Sequence, residues 1–278
     1  MGQIVWLASY PKSGNTWVRM LLNSYFFGAE NRQDLNSLDL STFGGSSKSS
    51  YRAVTDADID ACTDAQIMAL TPGAHAYIAS RQPGFAFVKT HNLLSDYQDI
   101  PLITAGVTRA AIYILRNPLD MVISVADHFG LTLDRAIDFI NDTNGSTAPT
   151  DQMVRQIFCS WSYNVASWTT STPFPVWIVR YEDLHKTPEK CLQDILLFLD
   201  SPVDAKRISA AVKRSSFKSL KAMERRDGFS EKSQHSKSFF RSGKTGQWRH
   251  KLTADQVRRI VVPNYELMKR FGYLPQGY

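Results

Sequence analysis

The sequence predicts an α/β fold: a central parallel sheet flanked by helices, formed as a single domain over residues 1–278. Three observations predict it. Four short apolar runs do not alternate with polar residues, as strands buried on both faces of a parallel sheet require. Helical apolar spacings separate those runs, the pattern of βαβ units. The first run passes straight into a small polar turn and then a helix, where open α/β sheets hold their ligands.

In chain order, residues 4–10 (IVWLASY) form the first strand. Residues 16–27 follow as a helix, with Trp17, Val18, Met20, Leu21, Leu22 and Tyr25 as its apolar positions. Residues 85–90 (FAFVKT), 110–115 (AAIYIL) and 176–180 (VWIVR) are the other strands. Residues 151–170 carry Met153, Val154, Ile157, Phe158, Trp161, Val165 and Trp168 at three- and four-residue steps, which predicts a helix. Residues 188–199 and 253–271 complete the set, and Pro263 is expected to interrupt the latter. Residues 44–50 (GGSSKSS), 141–150 (NDTNGSTAPT) and 223–238 (MERRDGFSEKSQHSKS) read as loops, the last as a mobile lid.

Composition excludes several classes. With 43 % hydrophobic and 21 % charged residues, the chain is neither disordered nor fibrous. Cys62, Cys159 and Cys191 share no close spacing, so no disulfide framework or metal knuckle is read, and a reducing, cytoplasmic setting is expected. No apolar run is long enough to span a membrane. The net charge of +6 is uneven: residues 206–259 hold sixteen Lys+Arg against four Asp+Glu, which leaves −6 on the rest. Such an excess suits a solvated face, a nucleic-acid patch or a site for a small polyanion. No zinc-finger or RNA-binding signature accompanies it, so no nucleic-acid partner is expected.

The first strand runs into Tyr10-Pro11-Lys12-Ser13-Gly14-Asn15-Thr16-Trp17. Gly14 lets the backbone approach a ligand, and the helix N-terminus directs unpaired N–H groups at it, an arrangement that favours an anion. Lys12 adds a cation, and Ser13 and Thr16 add hydroxyls. The physics is that of a phosphate loop, but Lys-Ser-Gly is not the Gly-Lys-Ser order of nucleotide triphosphatases.

This octapeptide resembles the YPKSGTTW loop of the soluble sulfotransferases, which transfer a sulfuryl group from 3′-phosphoadenosine-5′-phosphosulfate (PAPS) and release PAP. Three further segments match in the family's order. Residues 113–129 (YILRNPLDMVISVADHF) resemble its 3′-phosphate motif, with Arg116 and Ser124 in place. Residues 239–248 (FFRSGKTGQW) resemble FxRKGxxGDW, which implies 3′-phosphate contacts at Phe239, Arg241, Ser242 and Gly243; Ser242 and Gln247 depart from the usual Lys and Asp. Residues 87–91 (FVKTH) resemble the strand end that carries the family's base, which implies His91. Weaker matches imply that Ser215, Phe217, Trp17 and Tyr181 surround the adenine. The resemblance covers residues 4–22, 85–91, 110–129, 176–200 and 215–275. Residues 28–80 and 130–150 match nothing and are expected to shape the acceptor site.

The implied reaction is an in-line transfer to a hydroxyl, less readily an amine, of a small molecule. His91 takes the acceptor proton, with His128 as the next candidate. Lys12 neutralises the leaving phosphate, with Asn15 and its loop neighbours around it. Lys89, two residues before His91 on one strand face, stabilises the transferring group. No metal is expected. A nucleotide kinase using Mg²⁺ and a non-catalytic polyanion-binding protein are the rival classes.

Overall fold

The computed structural model describes residues 3–28, 35–38 and 42–278, so 29–34 and 39–41 of the expected acceptor-shaping stretch lie outside the described residues. The chain forms two compact units of three segments each. The first comprises the chain up to Tyr10, Thr42–Tyr113 and Asp142–Ile178; the second comprises Pro11–Ser41, Ile114–Asn141 and Val179–Tyr278.

Seven strands are described: β1 (Gln3–Ser9), β2 (Thr42–Gly44), β3 (Phe85–Thr90), β4 (Asp96–Tyr97), β5 (Ile100–Pro101), β6 (Thr108–Leu115) and β7 (Val176–Arg180). Five make one sheet in the order β2-β3-β1-β6-β7, and helices alternate with the strands along the chain. The pairs β1–β3 and β2–β3 are parallel. Ile4, Val5, Trp6, Leu7 and Ala8 are all fully buried, which is why β1 shows no polar alternation. β1 is central, with its sequence neighbours on one side and β6 on the other, so the strand order reverses at its end. That reversal is where an open α/β sheet leaves a crevice for ligands. β4 and β5 pair antiparallel across Gln98 and Asp99, both at positive φ as a tight two-residue hairpin turn needs.

Four sequence expectations are corrected. Residues 151–160 are not helical; the helix is Trp161–Thr169, capped by Ser160 Oγ on the Tyr163 N–H. Its expected first half gives its backbone groups to other segments: Val154 N donates to Ser46 O, Thr147 N to Gln156 O and Phe158 N to Gly145 O. Cys159, at φ 53, then separates that segment from the helix. Residues 44–50 are not a loop but contain the end of β2 and the start of the helix Lys48–Arg52. Pro263 does not interrupt the last helix, which is continuous over Ala254–Arg270. A proline there deprives the Arg259 carbonyl of its helical partner, and Asn141 Nδ2 donates to that carbonyl at 3.1 Å. Within residues 223–238 the first five end the helix Phe217–Asp227. The rest is irregular yet anchored: Phe229 is buried with Met20, Leu220 and Phe240, and Ser236 Oγ donates to Asp127 Oδ2 at 2.8 Å.

Candidate functional site

In the second unit, β1's chain continues into Lys12 at φ 67 and Gly14 at φ 103 before the helix Asn15–Phe27. Gly14 is required twice over. Its φ is left-handed, and a Cβ there would lie 2.6 Å from Tyr181 Cδ2. The Gly14 carbonyl accepts from Trp17 N at 3.0 Å, and no acidic residue occupies the helix's first turn. The positive end of the helix dipole therefore faces outward without an internal counter-charge from that turn.

Several of the predicted donor residues are drawn together around this loop. Arg116 is buried, donates from one terminal nitrogen to Lys12 O at 2.9 Å and stacks its guanidinium 4.2 Å over the Tyr181 ring. Its Nε is buried without a hydrogen-bond partner. A buried guanidinium with an unsatisfied N–H fits a phosphate oxygen. Trp17 meets Tyr181 edge-on at 5.6 Å and donates from Nε1 to Ser215 O at 2.9 Å. Burial pushes the Tyr181 hydroxyl up, against the opposing charge of Arg116, so it stays a neutral phenol. Gly243, at φ 60, lies so close to Phe217 that any Cβ would collide with the ring, and its carbonyl accepts from His185 Nε2.

Lys12 Nζ lies 4.2 Å from the Phe239 ring centre and 3.2 Å from His128 Nδ1. An ammonium has no acceptor, so His128 Nδ1 must be the acceptor and its proton sits on Nε2. His128 is thereby a partner of Lys12, a geometry that argues against its use as the base. Arg241 Nε is 3.7 Å from Asp127 Oδ1, on the helix Pro118–Phe129 that also carries half-buried Ser124. The hydroxyl of Ser13 is buried and points to Met121 Sδ at 3.6 Å, and that of Thr16 donates to Glu231 Oε2 at 3.1 Å. Ser242 is half-buried in the turn between Arg241 and Gly243.

Sequence reasoning missed the acidic scaffolding of this cluster. Asp120 does not pair with Arg116; its carboxylate accepts from Gly246 N and, at 3.1 Å, from Trp248 N, and so pins the FFRSGKTGQW turn. Buried Glu224 accepts from Phe239 N at 2.6 Å and Phe240 N at 3.0 Å. Local sequence carries no signal for the Asp120 pairings, which span more than a hundred residues, though the departure of Asp120 from the apolar stripe of its helix is a hint.

In the first unit, His91 follows directly on β3. Its Nδ1 is 2.7 Å from Ser9 O, the last residue of β1. A carbonyl only accepts, so Nδ1 carries a proton, and in the neutral imidazole the lone pair is then on Nε2. The turn is held by fully buried Asn164, whose Nδ2 donates to His91 O at 3.1 Å, and by Trp168 Nε1 donating to Asn92 O at 3.0 Å. Asn164 Oδ1 accepts in turn from Tyr113 at 2.8 Å. Asn164 is another residue the sequence did not single out. Lys89 is half-buried on β3 between buried Val88 and Thr90.

A family model described as "Sulfotransferase domain" matches residues 3–272. The chain belongs to the sulfotransferase family. It is 24 % identical over 276 residues to a flavonol 3-sulfotransferase of Flaveria bidentis, covering 92 % of this chain and 78 % of that one. A mouse sulfotransferase solved with PAP superposes with a TM-score of 0.61 at 21 % identity, covering 96 % of this chain and 84 % of the other. A retinol dehydratase solved with retinol and PAP superposes with a TM-score of 0.62 at 17 % identity, covering 96 % and 81 %. This sulfotransferase is PAPS-dependent and transfers a sulfuryl group to small-molecule acceptors. The kinase and polyanion-binding readings are set aside with that finding. Among the described residues of the sulfotransferase, no helix is long and apolar enough to cross a membrane.

Proposed function

We propose that this sulfotransferase acts on a hydroxyl of its small-molecule acceptor, less readily on an amine, with His91 as the base, and that residues 1–278 work as one catalytic domain. The observation that carries the reading is the Nδ1 contact of His91 with Ser9 O. The contact supports a neutral ring with its lone pair on Nε2, the form that removes a proton from an alcohol near neutral pH. Support for a hydroxyl acceptor comes from the retinol held by one structural neighbour. The match of the family model to residues 3–272 supports the single catalytic domain.

PAPS supplies a sulfuryl group already activated on a phosphate leaving group. In this reading the N–H groups and side chains of Lys12 to Trp17 hold the 5′-phosphate. Arg116, Ser124, Arg241, Ser242 and the Phe239–Gly243 turn hold the 3′-phosphate, and the buried Nε of Arg116 supports that role. Trp17, Tyr181, Ser215 and Phe217 enclose the adenine. Lys12 neutralises the leaving oxygen and Lys89 the transferring group; preorganised cations of this kind each contribute a few kcal/mol, roughly 10²–10³ in rate. The three free thiols at Cys62, Cys159 and Cys191 support a cytoplasmic setting.

Nitrogen NMR of ¹⁵N-histidine-labelled enzyme with PAP tests the tautomer, His91 being assigned by the signal lost in His91→Asn. A protonated Nδ1 and a pyridine-like Nε2 are expected. A proton on Nε2 at neutral pH would remove His91 as the base.

A further inference from the structure

Thr16, the last hydroxyl of the donor loop, is already engaged by an anionic side chain. Its Oγ1 donates to Glu231 Oε2 at 3.1 Å, while Glu231 Oε1 receives Arg19 at 2.6 Å. Thr16 and Arg19 are one helical turn apart, so a single carboxylate bridges them. The Arg19 side chain is only 2 % exposed and that of Glu231 26 %, which makes the ion pair a partly desolvated anchor and not a surface contact. The segment bearing Glu231 is seated on both sides. Phe229 is buried in an apolar cluster, Ser230 N donates to Asn36 Oδ1 at 2.9 Å, and Ser236 Oγ donates to Asp127 Oδ2 at 2.8 Å.

A threonine hydroxyl has one proton to give. It cannot serve a carboxylate and a phosphate oxygen at once, and two anions beside one hydroxyl repel each other. We propose that Glu231 sets donor affinity: its Oε2 holds Thr16 until the 5′-phosphate of PAPS or PAP takes that proton, while its Oε1 stays on Arg19 and keeps the segment anchored. Glu231 thus opposes donor binding and eases product release, since the carboxylate recaptures the hydroxyl as PAP departs. The inference rests on the donor-loop reading of Thr16 given above.

Calorimetric titration with PAP at fixed ionic strength tests it on wild type, Glu231→Gln, Thr16→Val and the double variant. Removing the carboxylate is expected to tighten PAP roughly tenfold, the scale of one exchanged charge-assisted hydrogen bond. Thr16→Val should weaken PAP, and Glu231→Gln should bring no gain on the Thr16→Val background. If Glu231→Gln binds PAP no better than wild type while Thr16→Val binds worse, Glu231 is only a tie for Arg19 and the inference falls. If Thr16→Val binds PAP as wild type does, the donor-loop reading of Thr16 fails and takes the inference with it. Should buried Arg19 destabilise Glu231→Gln, the pair Arg19→Met and Arg19→Met/Glu231→Gln removes that cation from both. The same tightening is expected between those two, and its absence overturns the proposal.

Discussion

His91 in the first unit and Arg116 in the second are each fixed by a backbone carbonyl, yet the outcome is opposite chemistry. Ser9 O accepts the Nδ1–H of His91, which in the neutral ring leaves Nε2 as the basic nitrogen. Lys12 O takes one guanidinium N–H of Arg116, the Tyr181 ring takes the face of the cation, and Nε stays buried and unsatisfied. Neutral partners explain both results. A carboxylate on His91 would favour the imidazolium, which cannot accept a proton. A carboxylate on Arg116 would cancel the charge that an incoming phosphate needs. Arg116 makes no ion pair among the described residues, whereas Arg19, further along the helix, is paired with Glu231. Asp120 and Glu224 bind backbone N–H groups instead.

This contrast breaks most sharply at His91. His91→Ala should lower turnover by about 10²–10⁴ while PAP affinity stays near wild type; steady-state rates and PAP titration on one preparation read both. Near-normal turnover would take His91 out of the mechanism.

A second consequence concerns pH and the first unit. His75 is buried against the Trp6 ring edge, with Nδ1 2.8 Å from Thr104 Oγ1, and burial pulls its pKa down to about 4 against the opposing pull of a backbone bond at Gly45. The unfolded chain's histidine protonates near 6.5, so between these values the unfolded state binds the extra proton. Stability from this group is therefore complete above about pH 6.5 and is lost as pH falls toward 4, by about 3 kcal/mol. Urea unfolding of wild type and His75→Gln across that range reads it as a difference. A difference that does not change with pH would show that His75 is not held neutral.

The smallest expected effect sharpens the donor side. Arg116→Ala should weaken PAP more than AMP, which lacks the 3′-phosphate, by roughly tenfold. Equal weakening of the two would move Arg116 from ligand contact to loop support through Lys12 O.

The four strands, the phosphate loop and the helix after it are legible because each rests on neighbours in sequence: unbroken apolar runs, one glycine at positive φ, apolar steps of three and four. Arg116 and His91 stand out for the same reason, each at the end of a strand. The helix expected over 151–170 failed where that logic stops. Val154 and Phe158 have helical spacing, but their backbone N–H groups pair with Ser46 and Gly145, outside any helical register. Pro263 failed in the other direction, because Asn141 satisfies the carbonyl that a proline orphans.

By itself the sequence determined the residue types that can bind a phosphosulfate and remove a proton, and the strand ends that carry them. Only the tertiary structure decided their protonation and their charge partners. Ser9 chooses the His91 tautomer across 82 residues, His128 faces Lys12 across 116, and Glu231 reaches Thr16 across 215. Charge state depends on which groups lie within a few ångströms, and the folding of distant segments onto one another sets those distances.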